Sequence, residues 1–254
     1  MNDDFFNFLV ATDQLDDFLG YKGEIQDEEE IESIPDNYIK DEYMKKTIDN
    51  LKNEIGDTLL VAVSKTKSNE DILKAYNLGI RDFGENYVQE LISKMDALPD
   101  DIKWHLIGHL QTNKVKEVVK RNIYLIQSVD SIKLANIINK EAIKYNKVIN
   151  ILLEVNIAED INKTGCSIDN LDDLVNEVKN LSNINLLGLM AIAPNTKDKE
   201  KIRKSFREMN RLKEKYNLKL LSLGMSNDYK IALEEGTDIV RIGTKIFGNR
   251  IYNK

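Results

Sequence analysis

One cysteine and two histidines are all the thiolate and imidazole that this chain of 254 residues offers. The single Cys166 excludes an internal disulfide framework and is compatible with a reducing compartment. The pair His105 and His109 lacks the Glu that follows the first His in a helical zinc-hydrolase motif, so no metal is expected. Long hydrophobic runs are missing too. No window approaches the roughly 20 apolar residues of a membrane span, and Met1-Asn2-Asp3-Asp4-Phe5-Phe6 has neither a basic start nor an apolar stretch. A soluble, cytoplasmic protein without a membrane partner is expected. A basic run interleaved with aromatics is also absent, so nucleic acid is not an expected partner.

Negative charge, by contrast, is concentrated. The chain carries a net −7, but residues 1–35 hold eleven Asp or Glu and one Lys, which leaves residues 36–254 at +3. Within that stretch Phe5, Phe8, Leu9, Leu15 and Leu19 share a rough helical face, whereas Asp27-Glu28-Glu29-Glu30 cannot pack. Residues 1–38 therefore read as an acidic extension, partly helical or disordered, ahead of a domain at 39–254. A nearly balanced domain suits a small anionic ligand.

From Leu59 onward, short apolar runs alternate with amphipathic segments eight times. Strands are expected at 59–63, 80–83, 103–107, 123–127, 149–155, 186–190, 219–223 and 239–242. Such uniformly apolar runs are typical of parallel strands covered on both faces. Ser68-Asn69-Glu70-Asp71 reads as a capping box, and helices are expected over 39–55, 131–145, 170–180 and 227–235. Eight βα units in about 200 residues imply an α/β fold, a single (β/α)8 TIM barrel. An open doubly wound sheet is the alternative, because periodicity does not reveal closure.

In such barrels the working face lies at the C-terminal ends of the strands. Here those ends carry Lys65, Asn86, His105, Met190, Ser226, Arg241, Gly243 and Thr244. A partly desolvated amine loses its proton readily and condenses with an aldehyde, which is the chemistry open to Lys65. Ser226 is expected at the start of a helix, where N–H groups and the dipole attract anions. Gly243 admits a ligand close to the backbone, and Thr244 adds a hydroxyl. An amine and a phosphate cradle together point to pyridoxal phosphate. Taken singly, each residue has an ordinary alternative: a strand-end lysine, a plain N-cap, a turn, a hydrogen-bonded core histidine or an Asx-turn. Arg241 is less ordinary, since it interrupts the apolar run Ile239-Val240-Arg241-Ile242 and requires a partner, an ion pair in the barrel mouth being one choice.

The segments Val61-Ala62-Val63-Ser64-Lys65-Thr66-Lys67, Phe83-Gly84-Glu85-Asn86-Tyr87-Val88-Gln89-Glu90 and Trp104-His105-Leu106-Ile107-Gly108-His109-Leu110-Gln111-Thr112-Asn113-Lys114 carry a resemblance. Together with Gly188-Leu189-Met190, Gly224-Met225-Ser226-Asn227-Asp228 and Val240-Arg241-Ile242-Gly243-Thr244, they resemble the pyridoxal phosphate homeostasis protein family. The six motifs occur in order between about residue 40 and Arg250. The resemblance implies a fold-type III barrel like the N-terminal domain of alanine racemase, with pyridoxal 5′-phosphate (PLP) held as a Schiff base, an internal aldimine, on Lys65. It implies that Ser226, Gly243 and Thr244 meet the phosphate, that Asn86 and His105 line the ring pocket, that Met190 packs near the ring, and that Arg241 faces the pyridine nitrogen. It also implies a monomer. Two places depart from the family pattern: Lys245 stands where a small residue is usual, and residues 1–38 lie outside the match.

A protonated guanidinium beside the pyridine nitrogen discourages a second positive charge there and weakens the cofactor as an electron sink. The expected function is therefore intracellular PLP homeostasis, a vitamin B6 role without robust catalysis, with PLP-dependent apoenzymes as recipients. The rivals are a PLP-dependent amino-acid racemase, whose second acid/base arrives in alanine racemase on a further β-domain, and a lysine-aldimine aldolase acting on a sugar phosphate.

Overall fold

The computed structural model describes residues 36–158 and 164–248. Residues 1–35, nearly all of the expected acidic extension, lie outside the described residues. The chain divides into two compact units at Asn53/Glu54. The first is described through helix α1, Asp36–Ile55, whose final residues belong to the second.

The second unit is a closed barrel of eight parallel strands in chain order. Its strands are β1 (Leu59–Val63), β2 (Asp82–Glu85), β3 (Lys103–Leu106), β4 (Leu125–Val129), β5 (Ile149–Val155), β6 (Ile184–Ala191), β7 (Leu220–Ser222) and β8 (Ile239–Ile242). The helices between them are α2 (Asn69–Asn77), α3 (Val88–Met95), α4 (Val115–Lys120), α5 (Ile132–Lys144), α6 (Leu171–Lys179), α7 (Lys199–Lys215) and α8 (Tyr229–Glu234), and a short α9 (Thr244–Phe247) follows β8. Closure is made by β8 on β1, with Leu59 opposite Ile239 and Val61 opposite Arg241. The open-sheet alternative is thereby eliminated.

Alternation along each strand divides the apolar residues between two cores. Val61, Leu125, Leu152, Met190 and Ile239 meet as one buried cluster joined by Leu59 and Leu220. The outer core is built by residues such as Ile72 and Ala75 of α2, Leu91 of α3, and Phe206 and Met209 of α7. Local signals set the helix starts. Ser68 Oγ accepts from the Asp71 N–H and the Asp71 carboxylate accepts from the Ser68 N–H, closing the expected capping box. Ser131, one residue after the expected Asp130, caps α5 by accepting from the Leu134 N–H.

Two strands begin two residues later than their apolar content suggests. β2 starts at Asp82 rather than 80 because the Ile80 N–H is still satisfied by Ala75 O of the preceding helix. β4 runs to Val129 rather than 127, since Gln127 and Ser128 are fully buried yet hydrogen-bonded.

Candidate functional site

Lys65 lies two residues beyond β1, half-buried, and the peptide groups on either side of it are tied down from outside the barrel wall. Lys94 of α3, buried, donates to Ser64 O (2.8 Å), to Glu85 Oε1 (2.8 Å) and to Glu90 Oε1 (2.7 Å). Ser64 Oγ donates to Glu85 Oε1 at 2.6 Å, and the Thr66 N–H donates to Glu90 Oε1 at 2.6 Å. Thr66 accordingly holds a left-handed φ of 65°, a costly conformation for a β-branched residue that persists only when its surroundings impose it. Burial pushes the Glu85 carboxyl above its ordinary range, opposed by Lys94 and by the Ser64 hydroxyl. The loop continues into Lys67, whose ammonium donates to Phe247 O (2.9 Å) and Gly248 O (3.3 Å), fastening the end of α9 to the end of β1.

Arg241 is held from inside the barrel. Only 4% exposed, it donates from Nη1 to Ser222 Oγ (2.6 Å) and from Nη2 to Ala191 O (2.9 Å). Among the described residues it makes no ion pair, although Asp228 and Glu154 lie near enough to act on it electrostatically. Burial pulls its pKa down to about 10, still well above neutrality, so the charge persists. The partner expected for this arginine is thus a hydroxyl and a carbonyl.

Gly243 follows directly on β8, and a Cβ there would lie 2.9 Å from Val63 O, so the β1–β8 seam requires glycine. Thr244 opens α9 and is exposed. Gly224, after β7, has φ +89° and accepts the Arg241 N–H at 2.9 Å. Ser226 lies in the turn that follows, half-buried and two residues ahead of the N-cap Asp228, so α8 begins later than the expected 227. The Asp228 carboxylate accepts the Met225 N–H at 2.5 Å and stiffens that turn. Lys245, the departure from the family pattern, sits with its ammonium 5.5 Å from the centre of the Tyr229 ring.

Asn86 follows β2 and is half-buried, with its Oδ1 buried and without a hydrogen-bond partner. Met190 is fully buried in the interior cluster with Val61 and Ile239. His105 is also fully buried, and both ring nitrogens are engaged, Nε2 with Asp82 Oδ1 (2.9 Å) and Nδ1 with Gln127 Nε2 (3.0 Å). Desolvation lowers its pKa against the opposing pull of Asp82.

The β1–β8 seam places Arg241 opposite Val61 and Gly243 against Val63 O, with Lys65 and Thr244 following at the ends of the two strands. Met190 sits in the interior beside that seam, and His105 reaches Arg241 only through intervening side chains. The residues that sequence reasoning missed are those that hold the others: Glu85, Glu90 and Lys94 behind Lys65, and Gln127 and Ser222 beside Arg241. For the first group a signal existed, since Glu90 and Lys94 are one helical turn apart and so share a face.

Elsewhere at the barrel mouth a cavity of about 310 Å³ is lined by His109, Gln111, Asn113 and Asp130, among others, and none of the residues above borders it. Burial raises Cys166 to about 12, which leaves it a thiol at neutral pH. Among the described residues no group of three His, Cys, Asp or Glu is arranged to hold a metal ion, and no helix is long and apolar enough to cross a membrane.

Residues 39–250 match the family model described as alanine racemase, N-terminal domain. Among curated relatives, the pyridoxal phosphate homeostasis protein of Aquifex aeolicus is 44% identical over 200 residues, 76% of this chain and 87% of that one. Its Escherichia coli counterpart is 37% identical over 204 residues, 77% and 87% of the two chains. The chain belongs to the pyridoxal phosphate homeostasis protein family, within the larger group that shares the alanine racemase N-terminal domain. Among solved structures, PipY of Synechococcus elongatus with PLP bound aligns at TM-score 0.75 and 31% identity, covering 81% of this chain and all of that one. Alanine racemase from Corynebacterium glutamicum aligns at TM-score 0.68 and 13% identity, covering 83% of this chain but 62% of that one, a likeness of fold alone.

Proposed function

We propose that this chain binds PLP through a covalent link from Lys65 Nζ and serves PLP homeostasis in the cytoplasm, holding the cofactor rather than catalysing with it. The observation that carries the reading is the β1–β8 seam, where a lysine with both flanking peptides clamped ends one strand and the neighbouring strand carries a buried arginine and ends at a glycine with no room for a side chain. The residues present fit the group. Asn86 Oδ1 is a buried acceptor without a partner, and the Arg241 guanidinium keeps N–H groups beyond those used by Ser222 and Ala191. The same group is bound by PipY.

In this reading Lys65 anchors the aldehyde carbon, Ser226, Gly243 and Thr244 receive the phosphate, and Asn86 and Met190 border the ring. Arg241 addresses the ring nitrogen, with His105 behind it. Bound PLP supplies an electrophilic aldehyde, and beside a permanent cation its ring is a poor electron sink. The domain spans 39–254, acts as a monomer, and has PLP-dependent apoenzymes as recipients.

The test is a visible spectrum of the purified protein with PLP, followed by borohydride reduction and peptide mapping. A yellow band that collapses on reduction, with the adduct on Lys65, is the expected result; an adduct elsewhere, or none, overturns the reading. Exchange of α-deuterium from amino acids into water addresses the catalytic half, and robust stereoinversion would replace homeostasis by racemisation.

A further inference from the structure

Five polar side chains, far apart in sequence, meet in the barrel interior: Asp82 (β2), His105 (β3), Gln127 (β4), Ser222 (β7) and Arg241 (β8). None is more than 7% exposed. Four hydrogen bonds link them end to end, Asp82 Oδ1 with His105 Nε2 (2.9 Å), His105 Nδ1 with Gln127 Nε2 (3.0 Å), Gln127 Oε1 with Ser222 Oγ (2.7 Å), and Ser222 Oγ with Arg241 Nη1 (2.6 Å). Asp82 opens its strand and so lies towards the N-terminal rim, whereas Arg241 lies beside the mouth, so the chain of contacts rises through the barrel.

The direction of every proton in it is determined. A guanidinium only donates, so Ser222 Oγ accepts from Arg241 and its single proton goes to Gln127 Oε1. The Gln127 amide then presents its NH2 to His105 Nδ1, which must be the bare nitrogen, and His105 carries its proton on Nε2 and donates to Asp82. Turning the Gln127 amide over would set its NH2 against the fully buried Ser222 hydroxyl and its oxygen against the His105 ring, taking the acceptor away from the hydroxyl proton, a cost that buried groups avoid. Hydrogen bonds that all run one way polarise one another, so the charge of Arg241 is spread towards Asp82 through neutral groups, while Asp228 and Glu154 act on it without an ion pair.

We propose that Asp82, His105, Gln127 and Ser222 are positioning residues that act as one directional hydrogen-bond chain, orienting Arg241 towards the cofactor ring nitrogen through a neutral contact rather than an ion pair. The proposal rests on the reading of Arg241 as the residue facing that nitrogen in bound PLP. It assigns His105 and Asp82, which do not touch Arg241, a share in setting the environment of the ring, and it explains why the barrel tolerates so many polar groups in its interior.

Two measurements decide it. The first uses the cofactor-free protein at neutral pH: nitrogen-15 NMR of His105 is expected to show a neutral ring protonated on Nε2, and Gln127→Glu, which offers only acceptor oxygens, is expected to move a proton onto Nδ1. A doubly protonated or Nδ1-protonated His105 in the unsubstituted protein overturns the chain. The second loads the protein with PLP labelled at the ring nitrogen. Ser222→Ala, Gln127→Met and the double substitution are expected to displace the ring-nitrogen resonance by the same amount and to weaken PLP uptake alike, by about tenfold. Displacements that add up in the double variant, or none in any folded variant, refute it. Were the unsubstituted protein to take up no PLP, the proposed function would fall, and the His105 measurement would still decide whether the chain exists.

Discussion

Lys65 and Arg241 belong to the two strands of the same seam of the barrel, yet the first is tethered through its flanking peptides by a carboxylate and an ammonium, the second through its side chain by a hydroxyl and a carbonyl. The charged tether lies between sheet and helix α3, where Lys94 reaches Glu85 and Glu90 at once. The neutral tether lies inside the barrel. The contrast follows from what each residue must keep available. A backbone clamp leaves the Lys65 side chain out of the tether itself, and charged groups give the strongest clamp once desolvated. An ion-paired carboxylate against Arg241 would offset its charge more strongly than the hydroxyl and carbonyl that hold it.

The comparison breaks most readily on its charged side. Lys94→Met leaves Glu85 buried without a counter-charge and is expected to cost about 3–5 kcal/mol in denaturant unfolding, whereas Lys94→Met with Glu85→Gln recovers much of that loss. A single variant as stable as the parent would show that the clamp does not depend on the pair. Arg241→Met removes one donor each from Ser222 and Ala191 and is expected to cost less, about 1–3 kcal/mol, because the acceptors left behind are neutral. Equal losses for the two substitutions would erase the distinction.

A pH series sharpens the neutral side. The folded protein resists protonating His105, so below the ordinary value of 6.5 the unfolded chain binds the extra proton. Stability is therefore complete above that value and falls as pH drops from 6.5 towards the lowered folded pKa, by at most about 1.4 kcal/mol per pH unit. His105→Gln should flatten that slope in unfolding midpoints measured across the range. Ser68→Ala, remote from both tethers, is expected to cost about 1 kcal/mol through the lost cap of α2 and to leave PLP uptake unchanged. Deletion of residues 1–35, which carry the segregated acidic charge and lie outside the matched 39–250, is expected to change uptake least of all. Loss of uptake in a folded truncated protein would place part of the site in the extension.

The legibility of the chain was uneven for physical reasons. β1, β5 and β8 stand at their expected residues because mostly aliphatic runs, broken only by Asn150, Glu154 and Arg241, leave little choice but a strand covered on both faces. β4 runs past its expected end because Ser128 looks like a loop residue, and only its hydrogen bond to Gly108 O makes it tolerable inside. Lys65, Gly243 and Thr244 were legible as strand-end residues. His105 was legible as a buried polar group, but its engagement with Asp82 and Gln127 was not.

The amino-acid sequence by itself determined eight βα units, the helix cap at Ser68, the strand-end lysine and an arginine lodged in an apolar strand, since each depends on residues within a few positions of one another. Tertiary structure alone decided that Asp82, His105, Gln127, Ser222 and Arg241 form one line, and that Lys94 reaches back to the carbonyl before Lys65. Closing the barrel sets inward-facing side chains from non-adjacent strands against each other across its axis. No local periodicity records which of them will meet.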